Sequence, residues 1–414
     1  MSITQQAPAP STHAHPQRWA FALLLTLLAL ALGVSGLPSP LYPLYQEQWH
    51  LSALSTTVVF AVYAIGALGA ALTVGPISDA IGRKPVLLAA VATILLGLVL
   101  FLFAGAEWQL ILARFLHGAA IGSITVVAGA ALLDVRPDDG ARNGMLSGVA
   151  LNVGIAATAL GAAAVAQYAP HPLRTPFVTM SVVVLAILLG VIALIEPHTG
   201  RTGGRVRLSR PGVPGEIASD FWFSGIGIIT AWSVLGVFLS LYPALVQHVT
   251  GHHSVMFTGG LVAVMAVASA ISQYIGGRYP ARPTAVVGDI GLALSLALAV
   301  VAVRHGHTWL IVLDTVLLGA TFGLAFGGSL RHLAAMAPAH ARGQVMSAYY
   351  LLGYLAMGVP TVIAGYLATT YSTATIFPWF ATAVAGACLL AAAIGLRGRR
   401  SVGSVGERED STMH

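Results

Sequence analysis

Three charged residues, Arg114, Asp289 and Asp314, interrupt long stretches that are otherwise apolar. On insertion scales each costs about 2.5–3.5 kcal/mol at the centre of a membrane helix, so each needs a partner or a wet cavity. A carboxyl group in such a place can carry a proton, and a guanidinium can meet an anionic solute. His117 follows Arg114 by three residues, which puts both on one helical face, and its ordinary titration range suits either a proton relay or a polar contact. Asp289 lies close to Arg278 and Arg331 in the expected topology, which predicts a structural ion pair there. A second concentration of charge is the run GPISDAIGRKP at 75–85, which holds Asp79, Arg83 and the sole lysine, Lys84. Asp79 is one helical turn from Arg83, Gly75 permits close helix approach, and Gly82 permits a turn that other residues resist.

The elements that position these residues follow from composition. The 414 residues are 57% hydrophobic and only 8% charged, too few charges for the exterior of a soluble protein of this length. Apolar stretches able to cross about 30 Å of hydrocarbon occur at 19–37, 53–74, 86–104, 108–131, 144–166, 177–195, 221–246, 255–275, 285–303, 308–330, 345–368 and 375–396. Lipid offers backbone groups no partner and nothing alternates like barrel strands, so these are twelve helices.

With both termini inside, 17 of the 20 basic residues fall on the cytoplasmic side. The net charge of +6 is therefore a topology signal, and nucleic acid is not expected as a partner. The segment 196–220, rich in Gly, Pro and Arg, reads as a cytoplasmic linker between bundles at 19–195 and 221–396, with cytoplasmic tails at 1–18 and 397–414. The halves repeat: AEWQLILARFLHGAAIG at 106–122 aligns with HTWLIVLDTVLLGATFG at 307–323, and ARNGMLS at 141–147 with ARGQVMS at 341–347. Duplicated halves are how many transporters build two units around a central site.

The loop pattern at Gly75, Asp79, Gly82, Arg83 and Lys84 resembles the signature loop of the major facilitator superfamily, and the spans, linker and repeat extend that resemblance along the chain. It implies an all-α fold of twelve spans in two pseudo-symmetric six-helix bundles. It also implies that the loop latches the halves at the cytoplasmic side, with Asp134 joining the latch, and that Arg114 and Asp314 sit on helices flanking a central cavity. We expect these two to face each other across the pathway and to meet when the outer side closes. Trp232, Tyr349, Tyr350 and Tyr354 are candidate cavity residues. The second half keeps only GGRYPARP at 276–283, with Gly277 where the acid would stand, so any latch there is built differently. The drug exporters' Gly- and Pro-rich motif in the fifth helix is replaced by Ala157–Ala162, small residues that preserve close packing.

These features lead to a secondary transporter in the inner membrane, monomeric, without cofactor, driven by a proton gradient and exporting small, partly apolar compounds. Proton-coupled uptake of a small organic anion is the alternative. An intramembrane enzyme would need paired acids, a Ser/Lys pair or metal ligands at matching depth, and a sensor would be expected to gain a soluble domain; neither pattern is present. No phosphate-cradling GxxxxGK[ST] occurs. The loop histidines 248, 252, 253, 305 and 307 lack the spacing of a metal site, and the single Cys388 excludes a disulfide framework.

Overall fold

The structure is a computed structural model that describes residues 17–137, 140–198, 211–338 and 340–410. The rest of the expected tails and linker, 1–16, 199–210 and 411–414, lies outside the described residues. Fourteen α-helices run in chain order: α1 (Arg18–Gly36), α2 (Tyr42–Trp49), α3 (Ala53–Ile81), α4 (Arg83–Leu102), α5 (Glu107–Val135), α6 (Gly140–Tyr168), α7 (Thr175–Ala193), α8 (Ala218–Ser240), α9 (Tyr242–Thr250), α10 (Val255–Gly276), α11 (Ala281–His305), α12 (Thr308–Met336), α13 (Arg342–Tyr371) and α14 (Thr373–Asp410). Twelve spans are long and apolar enough to cross a membrane, α1 and α2 together forming the first and α8 the seventh. Capping serines start the second and eighth spans: Ser52 Oγ accepts from Ser55 N and Ser254 Oγ from Phe257 N.

The prolines after residue 37 do not end the first span. Pro40 and Pro43 occupy first-turn positions of a 3-10 turn at Ser39–Leu41 and of α2, where a missing N–H leaves nothing unpaired. Residues 33–43 are buried throughout. The same Leu-Tyr-Pro triplet recurs 200 residues later, at Leu241, Tyr242 and Pro243, and joins α8 to α9.

Two helix pairs, α3 with α13 and α6 with α10, join the halves. We call the membrane side carrying Arg83, Arg282 and Arg331 the basic face and the other the far face. At the far face the halves close on each other. Ser39 Oγ donates to Leu239 O at 2.6 Å, α2 packs against α9, and Gln167 Oε1 accepts from Val255 N at 3.1 Å. Toward the basic face the seam loosens: residues 71–77 of α3 are only half-buried, and ideal Cβ positions on Gly69 and Gly144 meet nothing within 4 Å.

Within the first half α3 and α5 cross closely. A Cβ on Gly66 would meet Phe115 O, one on Gly118 would meet Tyr63 O, and one on Gly122 would meet Ala67 O. Gly75, expected to be the close-approach residue, faces Val126 Cγ1 at 3.6 Å, an ordinary contact. Gly118→Val should therefore destabilise the folded protein by about 1–3 kcal/mol, read as a lower thermal midpoint in detergent. Gly75→Ala should leave the midpoint unchanged; equal loss in both would contradict this crossing.

Candidate functional site

The charged loop between α3 and α4 is organised around one guanidinium. Gly82 adopts φ +104°, a conformation other residues resist, and turns the chain so that Arg83 starts α4. Arg83 Nη1 donates to Asp79 Oδ1 and to Ser78 Oγ, and Nε donates to Asp134 Oδ2 at 3.1 Å. Arg83 is buried, so its charge is balanced by two carboxylates, Asp79 of the loop motif and Asp134 at the end of α5, which the family resemblance joined to it. Glu196, which the sequence reading passed over, completes the arrangement. Its carboxylate accepts from Arg83 N at 2.8 Å and Lys84 N at 3.0 Å, filling the space a Cβ on Gly82 would need. It thus caps the exposed amides of α4, where negative charge is favoured. Lys84 Nζ reaches Ile192 O, and His198 Nδ1 lies 3.4 Å from Asp134. Asp79 stays half exposed, and the hydrogen bonds and ion pairs among the described residues give it no partner in the second half.

The second half builds a hub of opposite sign. Asp220 at the start of α8 accepts from Arg282 Nη1 at 3.3 Å and lies 2.8 Å from His332 Nε2. Arg282 also donates to Gly395 O. The acid missing at Gly277 is thus supplied from another helix, a pairing with no sequence-local signal.

Arg114 is wholly buried. Nη1 donates to Ser35 O at 3.2 Å, and the guanidinium lies over the rings of Tyr63 and Phe60. Its Nε and Nη2 have no hydrogen-bond partner. Asp314, also wholly buried, leaves both carboxylate oxygens unpartnered. The two do not meet, although the far face is closed: no ion pair links them, and α5 and α12 do not pack closely. Each instead sits in its own half beneath a Leu-Tyr-Pro joint, Arg114 within electrostatic range of Tyr42 and Asp314 of Tyr242. The expected pairing on outer closure is therefore corrected.

His117 lies within electrostatic range of Arg114 but packs elsewhere. Its ring stacks on Phe101 at 5.5 Å and fills the space beside Gly97, so it belongs to the packing of α5 against α4. Three residues leave a 60° difference around the helix axis, enough to change neighbours on a helix buried on several sides. Asp289 has no ion pair either. Arg331 is spent on the carbonyls of Gly276, Gly277 and Tyr279, and Arg278 lies over Tyr274. Trp232, Tyr350 and Tyr354 come together, with Phe326 as a fourth ring: Trp232 lies 4.9 Å from Tyr354, 6.0 Å from Phe326 and 6.4 Å from Tyr350. Trp232 and Tyr350 keep partial exposure. Tyr349 meets Tyr350 edge-on at 5.7 Å but is wholly buried, in the second half's cluster with Ile217, Phe221 and Ile228.

A sequence profile of the Major Facilitator Superfamily matches residues 23–280, more than half of the chain. A multidrug resistance protein MdtL of Escherichia fergusonii is 26% identical over 302 residues, covering 70% of this chain and 73% of that protein. One of Vibrio parahaemolyticus is 27% identical over 323 residues, covering 74% and 78%. Among solved structures, the human organic anion transporter MFSD10 (TETRAN) superposes with a TM-score of 0.69 at 16% identity, covering 92% of this chain and all of that one. A bacterial homolog of the human lysosomal transporter Spinster, in an inward-facing and occupied conformation, gives 0.72 at 14% identity, covering 94% and 98%. These likenesses carry the fold.

If Glu196 caps α4, Glu196→Gln should cost about 0.5–2 kcal/mol and speed amide hydrogen exchange at residues 83–86. Unchanged exchange there would contradict the cap.

Proposed function

Because the chain belongs to the Major Facilitator Superfamily, we propose that it exports small, partly apolar compounds in exchange for protons by alternating access. The chain is a multi-pass membrane transporter of a small-molecule substrate. Its basic face is read as cytoplasmic by the distribution of arginines, which places both termini inside and makes the conformation described above inward-facing. A monomer suffices, since both halves of the pathway belong to one chain.

One observation carries the coupling: Asp314 is a buried carboxyl group without a partner, directly beneath the closed far-face seam. Protonated, it is neutral and compatible with that burial. Ionised, it needs water, which reaches it when α2 and α9 part. Substrate entering from the basic face, against the ring cluster of Trp232, Phe326, Tyr350 and Tyr354, favours loss of the proton to the cytoplasm. The ionised carboxylate then favours opening at the far face, substrate leaves, and a proton taken from outside allows reclosure. Export is favoured by the relatives named multidrug resistance proteins and by the aromatic wall, which suits flat apolar solutes.

Arg114 supports a second reading. Its two unpartnered nitrogens would suit an anionic group, and one structural neighbour is an organic anion transporter. In that reading the chain takes up a small organic anion together with protons.

Flux in proteoliposomes under an imposed pH gradient decides. Fluorescent aromatic dyes should move against the proton gradient, and Asp314→Asn should abolish the gradient dependence while dye exchange without a gradient continues. An intact gradient response in Asp314→Asn would move the proton to another group. Movement of organic anions along with protons, and none of dyes, would favour uptake.

A further inference from the structure

The second half holds another buried acid that the transport cycle above does not use. Asp289 on α11 is wholly buried, and neither carboxylate oxygen has a hydrogen-bond partner. Around it lie further orphans. The ideal Cβ position of Gly227 on α8 falls 3.8 Å from Asp289 Oδ1 and against Ser329 Oγ of α12, so these two oxygens face the same small space. Tyr349 of α13 and Cys388 of α14 are within electrostatic range of Asp289. The hydroxyls of Ser329 and Tyr349 are themselves buried and unpartnered, as is that of Ser224, one turn from Gly227 on α8. Measured from the basic-face ends of their helices, Gly227, Asp289, Ser329 and Tyr349 all lie about 11–14 Å deep at 1.5 Å per residue, and Cys388 lies about 14 Å from the end of its membrane span at Arg397. Five helices thus place oxygen-bearing side chains and one thiol in a single layer.

A buried carboxylate that is ionised needs a counter-charge, and no fixed one faces this layer. Arg282, two turns away on α11, is engaged by Asp220 and the carbonyls of Gly395 and Ile394. His332, one turn beyond Ser329, is also held by Asp220, and Arg331 points to the carbonyls near residue 277. The orphan oxygens do not hydrogen-bond one another, so they converge without satisfying themselves. One carboxylate with neutral hydroxyls is a hard, all-oxygen donor set carrying a single negative charge. That charge balances a monovalent cation, whereas a divalent ion would leave an excess buried charge. No cluster of three His, Cys, Asp or Glu residues exists among the described residues, as a transition-metal site would need.

We propose that Asp289, Ser329 and Tyr349 form a sodium-ion site inside the second bundle, closed on the α8 side by Gly227. Gly227 is essential to it, because a side chain at that position would fill the space between the two oxygens. The ion ties α11, α12 and α13 together, and its presence is independent of whether the transporter works as an exporter.

Thermal unfolding of the purified full-length protein tests this, in sodium chloride against potassium and choline chlorides at equal ionic strength and fixed pH. A ligand that binds the folded state raises the midpoint with its concentration. The midpoint should rise saturably with sodium and not with potassium or choline. Asp289→Asn should abolish the rise, Ser329→Ala and Tyr349→Phe should shift half-saturation several-fold upward, and Asp314→Asn should keep the response. Should Asp289→Asn fail to fold, the two hydroxyl variants carry the test, with binding of radioactive sodium as a second readout. Equal midpoints in all three salts, a response that follows pH alone, or an unaltered sodium response in the hydroxyl variants would each overturn the site.

Discussion

Hydrocarbon offers a polar group nothing to bond with, and the structure follows from that constraint. Backbone groups are satisfied inside helices, which is why twelve long helices account for the spanning residues and why a capping side chain appears where a helix starts at a loop, as at Ser52, Ser254 and Glu196. Nearly every charged side chain sits at the basic face, in a loop, or in a hub of opposite charges. Arg114, Asp289 and Asp314 are the exceptions, buried in spans without an ionic partner. An uncompensated buried charge is a standing cost that folding alone gives no reason to keep. They lie in two layers: Arg114 and Asp314 beneath the far-face joint, and Asp289 deeper toward the basic face.

The two halves solve the same problem with inverted charges. In the first, a cation, Arg83, gathers Asp79 and Asp134 at the start of α4. In the second, an acid, Asp220, gathers Arg282 and His332 near the start of α11. The pattern continues beneath the paired Leu-Tyr-Pro joints, with a guanidinium on one side and a carboxyl group on the other, 200 positions apart. Duplicated backbones carrying unlike charges allow the halves to pack as near-equals while differing in the groups they bury. The seam itself is made of neutral contacts such as Ser39 to Leu239, which can break without leaving a charge stranded.

The spans, their number and the pairing of Asp79 with Arg83 could be read from the sequence because hydropathy and local spacing encode them directly, whereas Asp134, 51 positions from Arg83, was reached only through the family resemblance. The role of the prolines at 38–43 was not legible, since proline both ends helices and starts them, and only packing distinguishes the two. Side-chain direction was the weaker inference. His117 and Arg114 share a stripe by spacing, and Tyr349 neighbours Tyr350, yet helices surrounded on all sides turn adjacent residues toward different partners. Glu196, Asp220 and His332 went unnoticed because their partners lie 112 or 113 positions away. The Leu-Tyr-Pro repeat was a signal available from the start, at the same shift that aligns the halves elsewhere.

The central claim is that the charge on Asp314 governs the far-face seam. Spin labels at Gln48 on α2 and His248 on α9, both exposed, would report that seam by electron–electron distance, and the native Cys388, buried in the second half, would escape labelling. The account expects short distances at low pH, an added long-distance population at high pH, and short distances at both in Asp314→Asn. A pH-dependent opening that persists unchanged in Asp314→Asn would contradict it.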